Sequence, residues 1–411
     1  MSGPALFASS RSSRYIWDHL NYLKETGVDN VGEGMEFLFS GIPPVGDMKT
    51  LSWKGTKKYN ETWLENAGKS DSIRVCTGYF SASAVTLLAG IAKNSPKLLK
   101  VEFCVGMAKS DGLQATQLRA LENLNDVLLS EKKGGVFIVD KFKFHGKIST
   151  FSMRGQQHSA ILGSSNFSNL EKHEIELYEC DVGIYDKTKL DQLSSFSDQI
   201  IQKASRPFSE VEISVNQPKS TALDDYMAGE SRVQKISDYE LNQIKEKASL
   251  PEAFKCKLPV FNPEQKMSSL NVYFGKGREN SQKTLVIPRP WYEVEIIPGR
   301  HWFNQHPLFP QQREKDDPEG IITVVTDDGY KFEIYGSYDK SYGGSKNIRS
   351  TIDLQILGRW IKGKLEVSGT LSPGKPVTDD VLTKYGNKEI SLIRVNEGNV
   401  WYMTFLQATG K

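Results

Sequence analysis

The sequence has no run of about 18 apolar residues, which a membrane-spanning helix would need. Its four cysteines lie far apart without a Cys-x-x-Cys pair, which favours reduced cysteines over a zinc site or a disulfide framework. Neither sign of charge is in excess, because 52 basic residues stand against 50 acidic ones. Any surface for an anionic partner must therefore be local. The first twenty residues contain no apolar stretch of the kind found in secretion signals, so we expect a cytoplasmic protein.

The sequence does contain enough apolar material for packed domains, since hydrophobic residues make up 38% of the 411 positions. Over residues 1–205, short apolar runs alternate with helical patterns. This alternation predicts an α/β domain with a mixed sheet and flanking helices. The predicted strands are 73–80, 101–107, 136–140, 148–151, 159–163 and 180–185, and the predicted helices are 82–93, 115–129 and 187–203.

After residue 205 the composition changes twice. Residues 206–287 are polar and contain several prolines, which predicts a connecting region with one short helix at 238–247. Residues 288–411 are rich in short strands with Gly/Pro-rich turns, which predicts a second, all-β domain of the barrel or sandwich type. Its predicted strands are 291–297, 321–326, 330–335, 389–395 and 400–405.

One histidine stands in a pattern that carries chemistry. His145 and Lys147 are two residues apart at the start of a predicted strand, so their side chains share one face. Ser164 and Asn166 are also two apart, in a Gly-Ser-Ser-Asn segment that ends the next predicted strand. A His-x-Lys pair alone arises easily by chance among six histidines, and the alternative for His145 is an ordinary half-buried histidine. The second motif on the neighbouring strand favours a site at one edge of the sheet.

His-x-Lys followed by Gly-Ser-x-Asn is similar to the signature of the phospholipase D-type phosphodiesterases. The resemblance implies that the neutral imidazole of His145 attacks phosphorus and forms a covalent phosphohistidine. It also implies that Lys147 and Asn166 donate to the non-bridging oxygens, where charge develops. A carboxylate on the other ring nitrogen would hold the tautomer. We expect no metal cofactor, because fixed side-chain donors neutralise the charge.

Two departures from that signature point to one branch of the superfamily. The usual Asp five positions after the Lys is replaced by Ser152, and the gap to the Gly-Ser-x-Asn element is longer. With these departures the chain resembles the NgoFVII-family restriction endonucleases, in which a Glu downstream of the Asn takes the orienting role. We align Glu176 with that Glu and keep Glu174 as the competitor; a solvated acidic pair is the alternative for both. The resemblance extends to residues 271–278, 289–293 and 357–363.

The family resemblance implies a C-terminal DNA-binding domain similar to the plant B-three type, an all-β pseudobarrel with two arms in the major groove. Between residues 340 and 364, six basic residues face a single acid, Asp353. Such groups mix phosphate contacts with base contacts, although a solvated basic face is the alternative. The candidate second arm is the segment with Arg300, His301, Trp302 and Asn304, and its alternative is a turn with an anchoring aromatic. The candidate DNA-binding residues are Arg300, Lys340, Lys346, Asn347, Arg349, Arg359 and Lys362.

These features together predict a sequence-specific, metal-independent endonuclease of restriction type that acts on double-stranded DNA. A phosphodiesterase for lipid or another non-DNA substrate and a non-catalytic DNA-binding subunit are the alternatives. The mechanism needs a second imidazole as acid, yet the chain has a single His-x-Lys motif, so we expect a homodimer with a shared site. A monomer that uses His158 or His173 is the alternative. No Gly-x-x-x-x-Gly-Lys-Ser/Thr motif is present, so any ATP-driven step would need a separate translocase subunit.

Overall fold

The computed structural model contains two domains, each with its own sheet and its own large cluster of buried hydrophobic side chains. The first cluster runs from Leu38 to Leu285 and the second from Leu223 to Phe405. The structure describes residues 34–40, 57–171, 179–216, 221–227, 232–248, 253–258, 269–280, 282–298, 300–307, 309, 310, 312, 320–339, 341, 344–351, 353–395 and 399–407.

The first domain is built on a mixed sheet. Its strands are β1 (Met35–Ser40), β2 (Ser72–Thr77), β3 (Lys100–Val105), β5 (Gly134–Val139), β6 (Lys147–Met153), β7 (Gln156–Gly163), β8 (Glu179–Ile184) and β9 (Ser205–Pro207), while β4 (Leu113–Gln114) lies outside it. Within the described part of the chain, the order is β1-β8-β7-β6-β2-β3-β5-β9. The β2–β3 and β3–β5 pairs are parallel, and the other neighbours are antiparallel. The predicted α/β domain with a mixed sheet is therefore confirmed.

Helices cover this sheet: α1 (Tyr59–Gly68), α2 (Ala82–Asn94), α3 (Ala108–Asp111), α4 (Ala115–Ser130) and α5 (Lys187–Gln199). Ser81 caps α2, because its hydroxyl accepts the N–H of Ala84 at 3.1 Å. α2 is buried on every side from Ser83 to Ala92, as expected of a helix enclosed by the protein. One side faces the sheet and the other faces the second domain, where the Tyr273 hydroxyl donates to the Thr86 carbonyl at 2.8 Å.

The second domain is built on a second sheet. The short strand β10 (Val215–Asn216) pairs with β4, and β13 (Arg278–Glu279) pairs with β14 (Val286–Ile287). The sheet contains β11 (Gln234–Lys235), β12 (Ala253–Lys257), β15 (Ile321–Thr326), β16 (Tyr330–Asp339), β17 (Gly344–Ser350), β18 (Glu389–Arg394) and β19 (Val400–Thr404). In the described residues, its order is β11-β16-β15-β19-β18-β12, with β17 paired to β16. The expected strand-rich second domain is confirmed.

Five helices in the described residues accompany the second sheet: α6 (Ala222–Met227), α7 (Asp238–Lys247), α8 (Arg300–Gln305), α9 (Ile356–Val367) and α10 (Asp379–Tyr385). Helix α9 lies in the core, where Leu357, Trp360, Ile361 and Leu365 are fully buried. This buried helix is not predicted from the sequence. Its basic residues had indicated an exposed segment.

Two segments differ from their predicted structure. Residues 291–297 are not a strand: in this segment the structure shows a single bridge, between Ile296 and Ile348. Its side chains are buried at odd and even positions alike, including Glu293 and Glu295, so no face of the segment is exposed. Prolines at 288, 290 and 298 also limit the backbone hydrogen bonds that a strand would need. The stretch 206–287, predicted as a connecting region, contributes β11 and β12 to the second sheet, and β12 pairs with β18 over five residues.

Candidate active site

His145 and Lys147 lie where β6 begins, in the middle of the first sheet. The Lys147 Nζ lies 3.2 Å from the His145 Nδ1 and donates to the His145 carbonyl oxygen at 2.9 Å. Gly146 between them is held by the Gly78 N–H, which donates to its carbonyl at 3.0 Å. A Cβ at Gly78 would lie 3.0 Å from the His145 Cδ2, so the glycine lets the ring lie close against the end of β2. The structure thus brings the imidazole and the ammonium together.

Two opposing effects act on the pKa of Lys147. Partial burial lowers the pKa of the Lys147 ammonium, while the negative carboxylate of Glu179 acts to raise it. An ammonium that is poorly hydrated and close to the imidazole is well placed to donate to an anion bound beside His145.

Ser164 follows β7 and is fixed by the neighbouring strand β8. Its hydroxyl donates to the Glu179 carboxylate and accepts the N–H of Cys180 at 3.0 Å. A Cβ at Gly163 would collide with the side chain of Asp181, which explains the glycine before Ser164. Ser164 is exposed, and its hydroxyl holds the Glu179 carboxylate at the site.

Asn166 comes directly before a single 3-10 turn, Phe167–Leu170. The Phe167 N–H donates to the Tyr79 carbonyl at 3.3 Å, and the ring of Tyr79 lies edge-on to the imidazole of His145, with centroids 5.2 Å apart. The Asn166 Oδ1 is buried and has no hydrogen-bond partner among the described residues. The turn thus places the Asn166 side chain, whose acceptor oxygen is unpaired, on the same edge of the sheet as His145.

Glu179 is a site residue that sequence reasoning missed. The predicted carboxylate, Glu176, and its competitor Glu174 lie in 172–178, outside the described residues. Glu179 is the first residue of β8. Its carboxylate accepts a hydrogen bond from Ser164, and its negative charge acts to raise the pKa of Lys147. The antiparallel pairing of Gly163 with Asp181 brings it there. The sequence signal that could have found Glu179 is its position at the start of β8, because in an antiparallel pair the first residues of β8 lie beside the last residues of β7.

Tyr79 belongs to a second group of side chains beside His145. Its hydroxyl donates to the Asp111 Oδ2 at 2.6 Å. This hydrogen bond raises the pKa of Tyr79 and lowers the pKa of Asp111. A cavity of 180 Å³ opens on the far side of Tyr79, between α3, β4 and β10. Its lining residues include Tyr79, Asp111, Gln114, Gln117 and Asn216.

His158, the alternative second imidazole, lies elsewhere. Its Nε2 is 2.9 Å from the Ser70 Oγ, and its Nδ1 is 3.0 Å from the Ser159 Oγ. Burial lowers the pKa of His158. It is five residues before Gly163 on the same strand, which at about 3.3 Å per residue places it roughly 16 Å from the site end of β7. His173 lies outside the described residues.

In the second domain, Asn347 and Arg349 share one carboxylate. The Asn347 Nδ2 donates to a Glu295 oxygen at 2.7 Å, and the Arg349 NH1 donates to the other at 3.2 Å. Asn347 also accepts from the Ser337 hydroxyl and is 5% exposed, so its amide does not face solvent. Arg349 is partly exposed and lies over the ring of Tyr335. Of this pair, Arg349 is the residue that DNA could reach.

Arg359 and Lys362 do not agree with their predicted role in DNA contact. Both lie on α9, and they are 5% and 0% exposed. The Lys362 Nζ donates to the Trp291 carbonyl at 2.5 Å and lies 3.8 Å from the centre of the Trp291 ring. Burial lowers the pKa of Lys362 to about 7. These cations were misread as surface charge because their partners are distant in sequence.

The remaining DNA-binding candidates fall on residues whose side chains are not described. Lys340 lies outside the described residues, Lys346 is placed only by its backbone in β17, and Arg300 only by its backbone at the start of α8. Trp302 of the same helix is 8% exposed, and its indole N–H donates to the Lys255 carbonyl at 2.8 Å. The aromatic in this segment therefore anchors the helix to the second sheet.

Over the described ranges, no group of three or more His, Cys, Asp or Glu side chains is arranged to hold a metal ion. Over the same ranges, no helix combines the length and the apolar character that crossing a bilayer requires.

Both domains match models of known protein families. A model of the NgoFVII restriction endonuclease N-terminal PLD domain matches residues 58–213, and a model of the NgoFVII C-terminal B3-like DNA-binding domain matches residues 244–396. Nuc, a phospholipase D family member from Salmonella typhimurium, is 14% identical, with a TM-score of 0.25 over 42% of this chain and 97% of its own. NucT from Helicobacter pylori is 12% identical, with a TM-score of 0.28 over 42% of this chain and 99% of its own. A comparison with curated proteins gave no match.

The His145–Lys147 contact on a mixed sheet, joined to a strand-rich DNA-binding domain, defines a phosphodiesterase of the phospholipase D superfamily that acts on DNA. The chain belongs to the NgoFVII restriction endonuclease family. It is a DNA nuclease, and DNA is its partner.

Proposed function

We propose that this nuclease is a sequence-specific restriction endonuclease that cuts double-stranded DNA without a metal ion, through a covalent phosphohistidine. The observation that carries the proposal is the 3.2 Å separation between the Lys147 Nζ and the His145 Nδ1. It supports a site in which the nucleophile and a cation meet the same phosphate. Ser164, Asn166 and Glu179 supply the remaining polar groups at this edge of the sheet.

The reaction proceeds in two displacements. In the first, a nitrogen of His145 forms a bond to phosphorus, the P–O bond to the leaving oxygen breaks, and an acid protonates that oxygen. In the second, water attacks phosphorus, the group that acted as the acid takes the proton of the water, and the P–N bond breaks, which restores the imidazole. Lys147 and the Asn166 amide stabilise the charge on the non-bridging oxygens in both steps. A carboxylate orients His145; Glu176 remains our family-based candidate, and Glu179 is the one supported by position.

The acid is the same histidine of a second copy of the chain, so the working enzyme is a homodimer with its site at the two-fold axis. The burial of His158, its two serine partners and its distance from Gly163 argue against His158 as the acid. A two-fold axis presents the same surface twice and would set two His145 rings on one phosphodiester.

Other partners follow from the chain's chemistry. The sequence lacks a phosphate-binding loop for ATP, so translocation along DNA would be performed by a separate ATP-dependent subunit. A cytoplasmic location suits a nuclease that acts on DNA.

The test is cleavage of a long duplex DNA by purified protein in EDTA, with and without ATP. We expect cutting in EDTA by the wild-type chain and none by His145→Ala, while His145→Ala still binds duplex DNA through the second domain. Activity that EDTA abolishes and magnesium restores would overturn the metal-independent mechanism. Denaturation in alkali during turnover of phosphate-labelled DNA then tests for the phosphohistidine, whose P–N bond survives base and is hydrolysed by acid; the wild-type chain should retain label and His145→Ala should not.

A further inference from the structure

The helix α9 of the DNA-binding domain carries a buried cation that reaches the nuclease domain. The NH2 group of Arg359 lies 3.8 Å from a carboxylate oxygen of Glu171, and both side chains are 5% exposed. The guanidinium lies between two aromatic rings, 5.0 Å from the centre of Tyr226 and 4.5 Å from that of Tyr292. Arg359 is therefore held in place by its own domain and directed towards the other.

Glu171 ends the turn that carries the catalytic amide. It directly follows the 3-10 turn Phe167–Leu170, which begins after Asn166, and its N–H donates to the Ser168 carbonyl at 3.3 Å. The Glu171 carboxylate also accepts from the Ser83 hydroxyl at the start of α2. Phe167 and Leu170 are each 1% exposed. A short, fully packed turn moves as a unit, so a shift of Glu171 is transmitted to Asn166.

The Arg359–Glu171 pair is poorly suited to a purely stabilising role. A separation of 3.8 Å is longer than a hydrogen bond, and the Arg359 Nε and NH2 have no hydrogen-bond partner among the described residues. Buried ion pairs of this kind are often matched in stability by apolar residues of the same size. A charge pair between two domains does, however, couple their positions, because its attraction weakens as they separate.

We propose that Arg359 is a positioning residue for the cleavage reaction: through Glu171 it sets the turn that holds Asn166 against the scissile phosphate. The inference rests on the proposed function, because it assigns the stabilising amide to Asn166. It makes the DNA-reading domain part of the catalytic apparatus, so that the nuclease site is complete only when α9 is seated on Glu171.

The experiment compares Arg359→Met with a matched variant, Arg119→Met, in the whole chain. Arg119 also crosses between the domains, since its NH2 donates to the Glu366 carbonyl at 2.7 Å, but its partner is not on the catalytic turn. Two reactions are followed: cleavage of a long duplex DNA, and hydrolysis of bis(para-nitrophenyl) phosphate, a phosphodiester too small to need the DNA-reading surface. Duplex affinity and thermal unfolding are measured on the same preparations.

Arg359→Met should lower the rate constant of both reactions by between about tenfold and a hundredfold, the range expected for a misplaced catalytic group, with duplex affinity unchanged. Arg359→Lys should recover part of the rate, and Arg119→Met should keep the wild-type rate. Glu171→Gln should lower the rate by a similar factor, and the double variant should fall no further. A non-additive result cannot come from two unrelated losses of stability.

The inference is overturned if Arg359→Met cleaves at the wild-type rate, if Arg119→Met loses as much activity, or if the effects of Arg359→Met and Glu171→Gln add. Each outcome is distinct from failure of the proposed function, in which the wild-type chain itself would cleave neither substrate.

Discussion

At the scale of single residues, the site depends on the charge of Lys147. Lys147 can neutralise a phosphate oxygen only in its ammonium form, yet burial lowers the pKa of Lys147, and Glu179 is the group that opposes this effect. Removal of that carboxylate therefore lowers the pKa of Lys147 further, and the ammonium is lost at a lower pH than in the wild type. Glu179→Gln should shift the alkaline limb of the cleavage rate towards neutral pH, whereas Glu179→Asp should leave it near its wild-type position. A profile of single-turnover rate against pH checks this. An alkaline limb that does not move in Glu179→Gln would mean that Glu179 does not control the pKa of Lys147.

Arg349 is the residue-scale prediction for DNA binding. Its side chain is 28% exposed and is already oriented by Glu295 and Tyr335, so little conformational freedom is lost when it meets DNA. If Arg349 reads a guanine, Arg349→Ala should cost about 1–3 kcal/mol of binding free energy and relax specificity at one base position. If Arg349 contacts phosphate, the variant should bind all sequences more weakly, with a flatter dependence of affinity on salt. Binding titrations at several salt concentrations distinguish the two. Arg154→Ala, on the exposed β6–β7 turn of the nuclease domain, is the control that should bind as the wild type does; equal affinities for both variants would remove Arg349 from the interface.

At the scale of elements, Lys362 links α9 to the pH dependence of folding. Burial lowers its pKa to about 7 in the folded chain, against about 10.4 in an unfolded one. Between these values the unfolded state binds more protons, so Lys362 makes the free energy of unfolding rise with pH from about 7 to about 10. Lys362→Met should flatten that rise without loss of stability at neutral pH, because an apolar side chain replaces a costly buried amine. Urea unfolding of both chains across this range measures it, and parallel curves would contradict the assignment.

The elements also show where sequence reasoning succeeds and where it stops. The two-residue spacing of His145 and Lys147 was enough to predict that their side chains lie together, because side chains two positions apart along an extended chain share one face. Glu179 was missed, because its contact with Ser164 depends on the register between β7 and β8. Arg359 and Lys362 were read as exposed, because a basic residue indicates solvent unless its buried partner is known. Glu171 and the Trp291 carbonyl, which hold them, are far away along the chain.

At the scale of the whole molecule, the proposed phosphohistidine mechanism requires two imidazoles, while the chain offers one in a His-x-Lys motif. The described structure leaves the imidazole of His145 exposed, beside Lys147, at the end of a central strand. A second copy related by a two-fold axis would supply the missing acid without any new residue type. We therefore expect a dimer in sedimentation, and we expect its activity to depend on both copies.

Mixing decides whether the site is shared. If wild-type and His145→Ala chains are unfolded together, refolded and assayed, heterodimers contain one nucleophile and no partnering acid. Total activity should then follow the square of the wild-type fraction, so activity per wild-type chain falls in proportion to that fraction. A mixture with His158→Ala should retain full activity, because His158 is bound by Ser70 and Ser159 away from the site. A linear decline of total activity with the His145→Ala fraction, or a monomer that cuts at full rate, would mean that each chain carries a complete site and takes its acid from elsewhere in its own sequence.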